Sequence, residues 1–152
     1  MTTGEVCNRH VVISKPDASL LDAAQLMKNH HVGDVVVVGD TNGQRIPIGI
    51  LTDRDVALCV ADRPKQLDEL KVSDVMSSGI VTAPESQSLY DAVKRMQSHG
   101  IRRLPIVNAA GGLEGILTFD DIIDLLSEEL ADLAKLVVRE HDRERLPAQP
   151  QT

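Results

Sequence analysis

The tetrapeptide Gly-Ile-Leu-Thr occurs twice in this chain, at Gly49–Thr52 and Gly115–Thr118, and an aspartate, Asp55 or Asp121, stands three residues after each threonine. A motif repeated with the same downstream spacing marks a duplicated supersecondary unit, and such units bury their apolar faces against one another. The alignment extends well beyond the motif. Leu20-Leu21-Asp22-Ala23 lies over Leu89-Tyr90-Asp91-Ala92, and in the same frame Met27 falls on Met96, His30 on His99, Val32 on Ile101 and Val38 on Val107. Between there and the tetrapeptides the frame shortens by three residues, which places three additional residues of the first copy in a loop around Gln44–Pro47.

Each copy carries the same local signals. A short β-branched stretch, Val11–Ser14 or Ile80–Thr82, runs towards Pro16 or Pro84 and reads as a strand. Ser19 and Ser88 each precede an acid by three residues, Asp22 and Asp91, and apolar residues then follow at helical spacing: Leu20, Ala23 and Met27, or Leu89, Ala92, Val93 and Met96. The runs Val35–Val38 and Leu104–Val107 are short enough to be buried strands. Asn42-Gly43 and Gly111-Gly112 are turn signals that lead into strands at Ile48–Leu51 and Leu113–Leu117. A second helix then begins at each Thr-x-x-Asp. The reading is a mixed α/β (α+β) fold of tandem β-α-β-β-α repeats with an extended C-terminal helix. Its divisions are a first repeat over 1–61, a linker over 62–74, a second repeat over 75–128, a helical extension over 129–146 and a tail over 147–152.

Composition narrows the function classes. The 152 residues carry a net charge of −7, which argues against general nucleic-acid binding, where a basic surplus neutralises phosphates. One Tyr, one Phe and no Trp leave no stacking platform for single strands. No apolar run approaches the roughly 18 residues of a membrane span. Met1–Arg9 lacks the apolar core of a secretory signal, so the expected location is the cytoplasm. Cys7 and Cys59 have no C-x-x-C partner and read as free thiols. His30, His31 and His99 lack the spacing of a zinc helix and suit helix C-termini instead. No nucleophile elbow or phosphate loop frames a catalytic set, so neither catalytic nor metal-ligating residues are assigned, and no cofactor is required.

Two readings of Thr52/Asp55 and Thr118/Asp121 stay open on spacing alone. A threonine at the N-cap and an aspartate at the third helical position satisfy orphan amides reciprocally, with no ligand needed. The same groups suit a ribose phosphate, since a carboxylate accepts from paired sugar hydroxyls and a hydroxyl and free amides donate to phosphate.

Taken together, the doubled unit, Asp74-Val75-Met76, the run from His99 to Val107 and the two Gly-Ile-Leu-Thr-x-x-Asp motifs resemble the cystathionine-β-synthase (CBS) domain pair, or Bateman module, over roughly residues 5–128. The resemblance implies two repeats packed sheet against sheet about a pseudo-twofold axis, with clefts that take an adenosyl ligand such as AMP, ATP, NAD or S-adenosylmethionine. It further implies that Asp55 and Asp121 hold ribose and that Thr52 and Thr118 assist at phosphate. Ile13-Ser14 and Ile80-Val81-Thr82 would supply the base slot, though their side chains fit strand core equally well. Arg102 and Arg103 form a guanidinium pair for phosphate or, with no ligand, exposed ion pairs with the acidic surface; their counterparts Gly33 and Asp34 offer no cation, and Arg54 is a weaker candidate in the first copy. On this reading the second-copy set, Thr118 and Asp121 with Arg102 and Arg103, is the expected phosphate site, with reach of the module's central side chains into the neighbouring cleft as the alternative. The final helix carries a stripe, Ile122, Leu126, Leu130, Leu133 and Val137, that outruns the core beneath it and is expected to bury on a partner chain or over its own module, a homodimer being the simplest symmetric solution. The function expected is a regulatory ligand-binding module; the alternative is a structural dimerisation scaffold with empty clefts.

Overall fold

The computed structural model describes residues 1–64 and 66–145. The expected tail over 147–152 and the last residue of the 129–146 extension lie outside the described residues. In chain order the elements are α1 (Thr3–Val6), β1 (Ile13–Ser14), α2 (Leu20–His30), β2 (Asp34–Thr41), β3 (Gln44–Thr52), α3 (Asp53–Asp62), α4 (Val72–Val75), β4 (Ser77–Ser78), β5 (Ala83–Pro84), α5 (Leu89–His99), β6 (Arg103–Val107), β7 (Leu113–Thr118) and α6 (Phe119–Arg145). They form two compact units, one over Met1–Leu117 and a second that begins at Thr118.

Local chemistry accounts for the repeat pattern. Ser19 Oγ accepts from the Asp22 amide at 3.1 Å, and Ser88 Oγ from the Asp91 amide at the same distance, so both first helices start where a cap satisfies an orphan donor. Both end in a left-handed residue, His31 at φ 53° and Gly100 at φ 62°. The Asn42-Gly43 turn has positive φ at both positions, the geometry that matches strand twist, so β2 and β3 pair out to Thr41 and Gln44. The extra residues of the first copy thus lengthen a hairpin ladder, with an irregularity at Val37/Val38, rather than forming a loop.

Two small sheets result, ordered β1-β2-β3-β4 and β5-β6-β7. Val35 to Val38 of β2 are all fully buried, because alternate side chains face opposite ways and both faces are covered. Val35 and Val37 join Leu20, Ala23, Met27, Leu51 and Val72 in the core of the first repeat. Val36 and Val38 pack with Ile116 and with Val11, Ile13 and Leu113, which ties the two sheets together.

The segment leading into each repeat pairs with the other repeat. Val72 N–H donates to Ala18 O at 2.8 Å and Ser73 N–H to Pro16 O at 2.9 Å; Thr3 N–H donates to Gln87 O at 2.8 Å and Gly4 N–H to Glu85 O at 2.9 Å. These are the same bonds in the two copies. Ser77 and Ser78 pair with Ile50 and Gly49, while Asn8 exchanges both backbone hydrogen bonds with Ile116 at 2.9 Å. The repeated glycine follows from this crossing. A Cβ at Gly49 would overlap Met76 Sδ and lie 3.0 Å from Ser77 O; one at Gly115 would lie 2.5 Å from Cys7 Sγ and 2.9 Å from Asn8 O.

The second repeat departs from the expected strand at Ile80–Thr82, since β5 begins only at Ala83. In the first copy Val36 N–H donates to Val12 O at 3.0 Å. The residue in that place in the second copy is Pro105, which has no N–H, so the ladder loses its first rung there.

Gly49→Ala should cost about 1–3 kcal/mol, the range for overpacking a closed contact. Urea titration of that variant, of Met76→Ala and of the pair checks it: the coupling should be favourable, and additive losses would show that the glycine serves another purpose. Burial pushes the Cys7 thiol up, only partly opposed by Arg9. The unfolded chain therefore ionises first, so this contribution is intact below the ordinary thiol range and is lost as pH rises towards the raised value. Unfolding free energy measured at neutral and at alkaline pH should fall less in Cys7→Ala than in the native chain.

Candidate ligand-binding cleft

A cleft of about 370 Å³ opens in the first unit, lined by Ile50, Thr52, Ser77, Ser78, Gly79, Ile80, Val81, His99, Ile101, Arg102 and Arg103. Three stretches build it. The end of β3 supplies Ile50 and Thr52, the crossing strand β4 and the residues after it supply Ser77 to Val81, and the end of α5 with the start of β6 supplies the basic side. The apolar part is Ile50, Ile80, Val81 and Ile101; three hydroxyl residues, Gly79, the His99 imidazole and two guanidinium groups form the rest. Pro105 also shapes the site, because without its amide the Val81 carbonyl lacks the strand donor that Val12 receives.

Thr52 and Asp55 close a reciprocal cap at the start of α3. Asp55 N–H donates to Thr52 Oγ1 at 3.1 Å, and Thr52 N–H donates to Asp55 Oδ2 at 2.9 Å. One carboxylate oxygen is thereby committed to the backbone, and the carboxylate is held in a single orientation. In the second unit Asp121 N–H likewise donates to Thr118 Oγ1 at 3.1 Å. The cap is reciprocal in the first copy and shows its threonine half in the second, and it leaves the ligand reading open.

The arginines are placed by different means. Arg103 Nε donates to Asp34 Oδ2 at 2.5 Å, with the two side chains 35% and 19% exposed. Arg102 is exposed at the cleft. His99 Nδ1 lies 2.9 Å from Arg95 O, which anchors its ring at the helix end. Thr82 contributes a carbonyl that accepts from Arg95 Nη1 at 3.0 Å. Ile13 and Ser14 form β1 against Val36 and Val37, Ile13 in the seam between the sheets and Ser14 buried. Arg54 is exposed on the first turn of α3.

Of the residues singled out in the sequence, this cleft gathers Thr52, Ile80, Val81, Arg102 and Arg103. Sequence proximity groups the two arginines with Thr118 and Asp121 of their own repeat; in the structure they line the cleft that contains Thr52 of the other, the alternative left open by their place at the centre of the module. Ile50, Ser77, Ser78, Gly79 and Ile101, which are not among the expected site residues, and His99 complete it. The signal for them was the lead-in at Val75-Met76-Ser77, which has the same place in its repeat as Val6-Cys7-Asn8.

A doubled α/β repeat, each copy closed by the other's lead-in, with a mixed apolar and basic cleft, defines a paired-repeat module. The profile of the CBS domain matches residues 4–62 and 72–128, and the chain belongs to that family. It is 38% identical over 125 residues to the CBS domain-containing protein YhcV of Bacillus subtilis, an alignment covering 82% of this chain and 85% of that protein. It is also 38% identical over 125 residues to an uncharacterised protein of Methanopyrus kandleri, covering 82% of this chain but spanning only 62% of that protein's length. Among solved structures, a CBS domain protein of Pyrobaculum aerophilum complexed with AMP superposes with a TM-score of 0.71 at 26% identity, over 80% of this chain and 89% of that one. No helix among the described residues is long and apolar enough to cross a membrane.

Thr52→Ala removes the hydroxyl that caps α3 and should cost about 1 kcal/mol of stability. Asp55→Ala should cost a similar amount, and the double variant less than the sum, because each removes the same reciprocal cap. Thermal unfolding of the three variants measures this; fully additive losses would dissolve the pairing.

Proposed function

We propose that the chain is a regulatory binding module, not an enzyme, and that its cleft takes an adenosine-containing ligand bearing phosphate. The observation that carries this reading is the meeting of an apolar slot, Ile80 and Val81, with Thr52 on one side and Arg102 and Arg103 on the other. A purine ring removes apolar area from water in the slot, and its amino group can donate to the Val81 carbonyl. The Asp55 carboxylate, held by Thr52 N–H, accepts from ribose hydroxyls. The guanidinium groups face phosphate, for which their fork geometry is suited. The AMP complex of the Pyrobaculum relative supports the ligand class. Thr118 and Asp121 carry the same proposed role for the second copy, and Ile13, Ser14 and Arg54 remain candidates beside them.

Signalling requires that two arrangements of the module differ in affinity for the ligand. A homodimer supplies such arrangements. On α6, Leu126, Leu130, Leu133 and Val137 are exposed, and a second copy is the proposed cover for them. A scaffold with empty clefts is the competing function, favoured by the fact that Thr52 and Asp55 already satisfy one another.

Calorimetric titration with AMP, ATP, NAD and S-adenosylmethionine separates the two. At least one should bind, Asp55→Asn should weaken it about tenfold or more by loss of a charged acceptor while keeping an oxygen for Thr52 N–H, and Arg102→Ala should weaken phosphate-bearing ligands but not adenosine. Absence of heat with all four compounds would leave the scaffold reading standing.

A further inference from the structure

Asp34 and Arg103 occupy the same position in the two repeats, each opening the strand that follows the first helix. Their contact, Arg103 Nε to Asp34 Oδ2 at 2.5 Å, therefore straddles the axis that relates the repeats. Asp34 is the more buried partner, at 19% exposure against 35% for Arg103, so screening by solvent is reduced. Arg103 lines the cleft, and the pairing uses its Nε, one of the donor nitrogens of its guanidinium fork.

A second carboxylate stands nearby in the first repeat. Asp53 N–H donates to Gly33 O at 2.9 Å, and a Cβ at Gly33 would lie 3.3 Å from Asp53 Oδ2, so this carboxylate packs over the residue preceding Asp34. The charge balance follows directly. Whatever Arg102 contributes, Asp34 subtracts a full unit from the cation that Arg103 brings, and Asp53 stands against the residue that precedes Asp34. A single phosphate can be met by the Nη groups. Further phosphates bring about two more negative charges in a nucleoside triphosphate, with a carboxylate already on the nearest guanidinium.

We propose that Asp34 is a specificity-determining residue of the cleft: by pairing Arg103 it restricts the anionic part of the ligand to one phosphate group and disfavours nucleoside di- and triphosphates. This rests on the adenosine-phosphate reading of the site and adds the discrimination among its members.

The test titrates adenosine, AMP, ADP and ATP in magnesium-free buffer against the full chain and Asp34→Asn, a variant that keeps an oxygen acceptor for Arg103 Nε. The native chain should prefer AMP over ATP by about tenfold, and Asp34→Asn should narrow that gap by about tenfold while leaving adenosine within about twofold, since the removed charge acts only on the phosphates. Equal binding of AMP and ATP by the native chain, or the same AMP to ATP ratio in native and variant proteins, overturns the role of Asp34 and leaves the nucleotide reading in place. If none of the four compounds binds the native chain, both readings fall together. Should Asp34→Asn not fold, Asp34→Ser is titrated with the same outcomes, and the native preference alone remains able to overturn the proposal.

Discussion

The crossing of each lead-in segment over the other repeat's last strand is the constraint from which the rest of the first unit follows. A β-hairpin with one helix buries one face and leaves the other face and an edge open. Here β4 covers the edge of β3, and Asn8 meets Ile116 in the matching place. The crossing chain approaches so closely that a glycine is required beneath it, with Met76 over Gly49 and Cys7 over Gly115. The helix α4 also delivers Val72, fully buried, into the core of the first repeat. Neither repeat is therefore a complete folding unit by itself, and the cleft exists only because β4 and the residues after it are brought to the end of β3.

This exchange explains what could be read from the sequence and what could not. The β-α-β-β-α order, the serine caps at Ser19 and Ser88, the turn at Asn42-Gly43 and the presence of an extended C-terminal helix all depend on residues close together in sequence, and they appeared as expected. The extent of β5 was legible in principle, since Pro105 is visible in the sequence, but its effect falls on Val81, a residue two dozen positions away. The grouping of the site was the least legible part. Adjacency along the chain assigns Arg102 and Arg103 to the repeat that contains Thr118, yet the chain crossing brings them beside Ile50 and Thr52. The lead-in before the first repeat was passed over for the same reason. Glu5-Val6-Cys7 answers to Asp74-Val75-Met76 in frame, but the identities are too few to be seen without the shared hydrogen bonds.

The duplicated motif is a helix cap in its own right. Thr52 and Asp55 close it with no ligand present, and the cap holds the Asp55 carboxylate in place; under the proposed function that pre-organisation lowers the entropy lost on binding. Among the differences between the copies, two bear on the cleft: Asp34 against Arg103, where equivalents meet, and Val36 against Pro105, where one backbone donor is missing.

The same exchange makes a near-symmetric structure asymmetric in time. Val72 and Ser73 find their acceptors, Ala18 and Pro16, in chain that has already been synthesised, so the core of the first repeat can close once β4 has emerged. Thr3, Gly4 and Asn8 must wait for Gln87, Glu85 and Ile116, roughly a hundred residues downstream, and these long-range bonds form late in a chain that folds as it is made. Until then the apolar side of Val36 and Val38 has no Ile116 to cover it. A chain halted at that stage would show solvent the side of Val36 and Val38 that Val11 and Ile13 leave for Ile116 and Leu113.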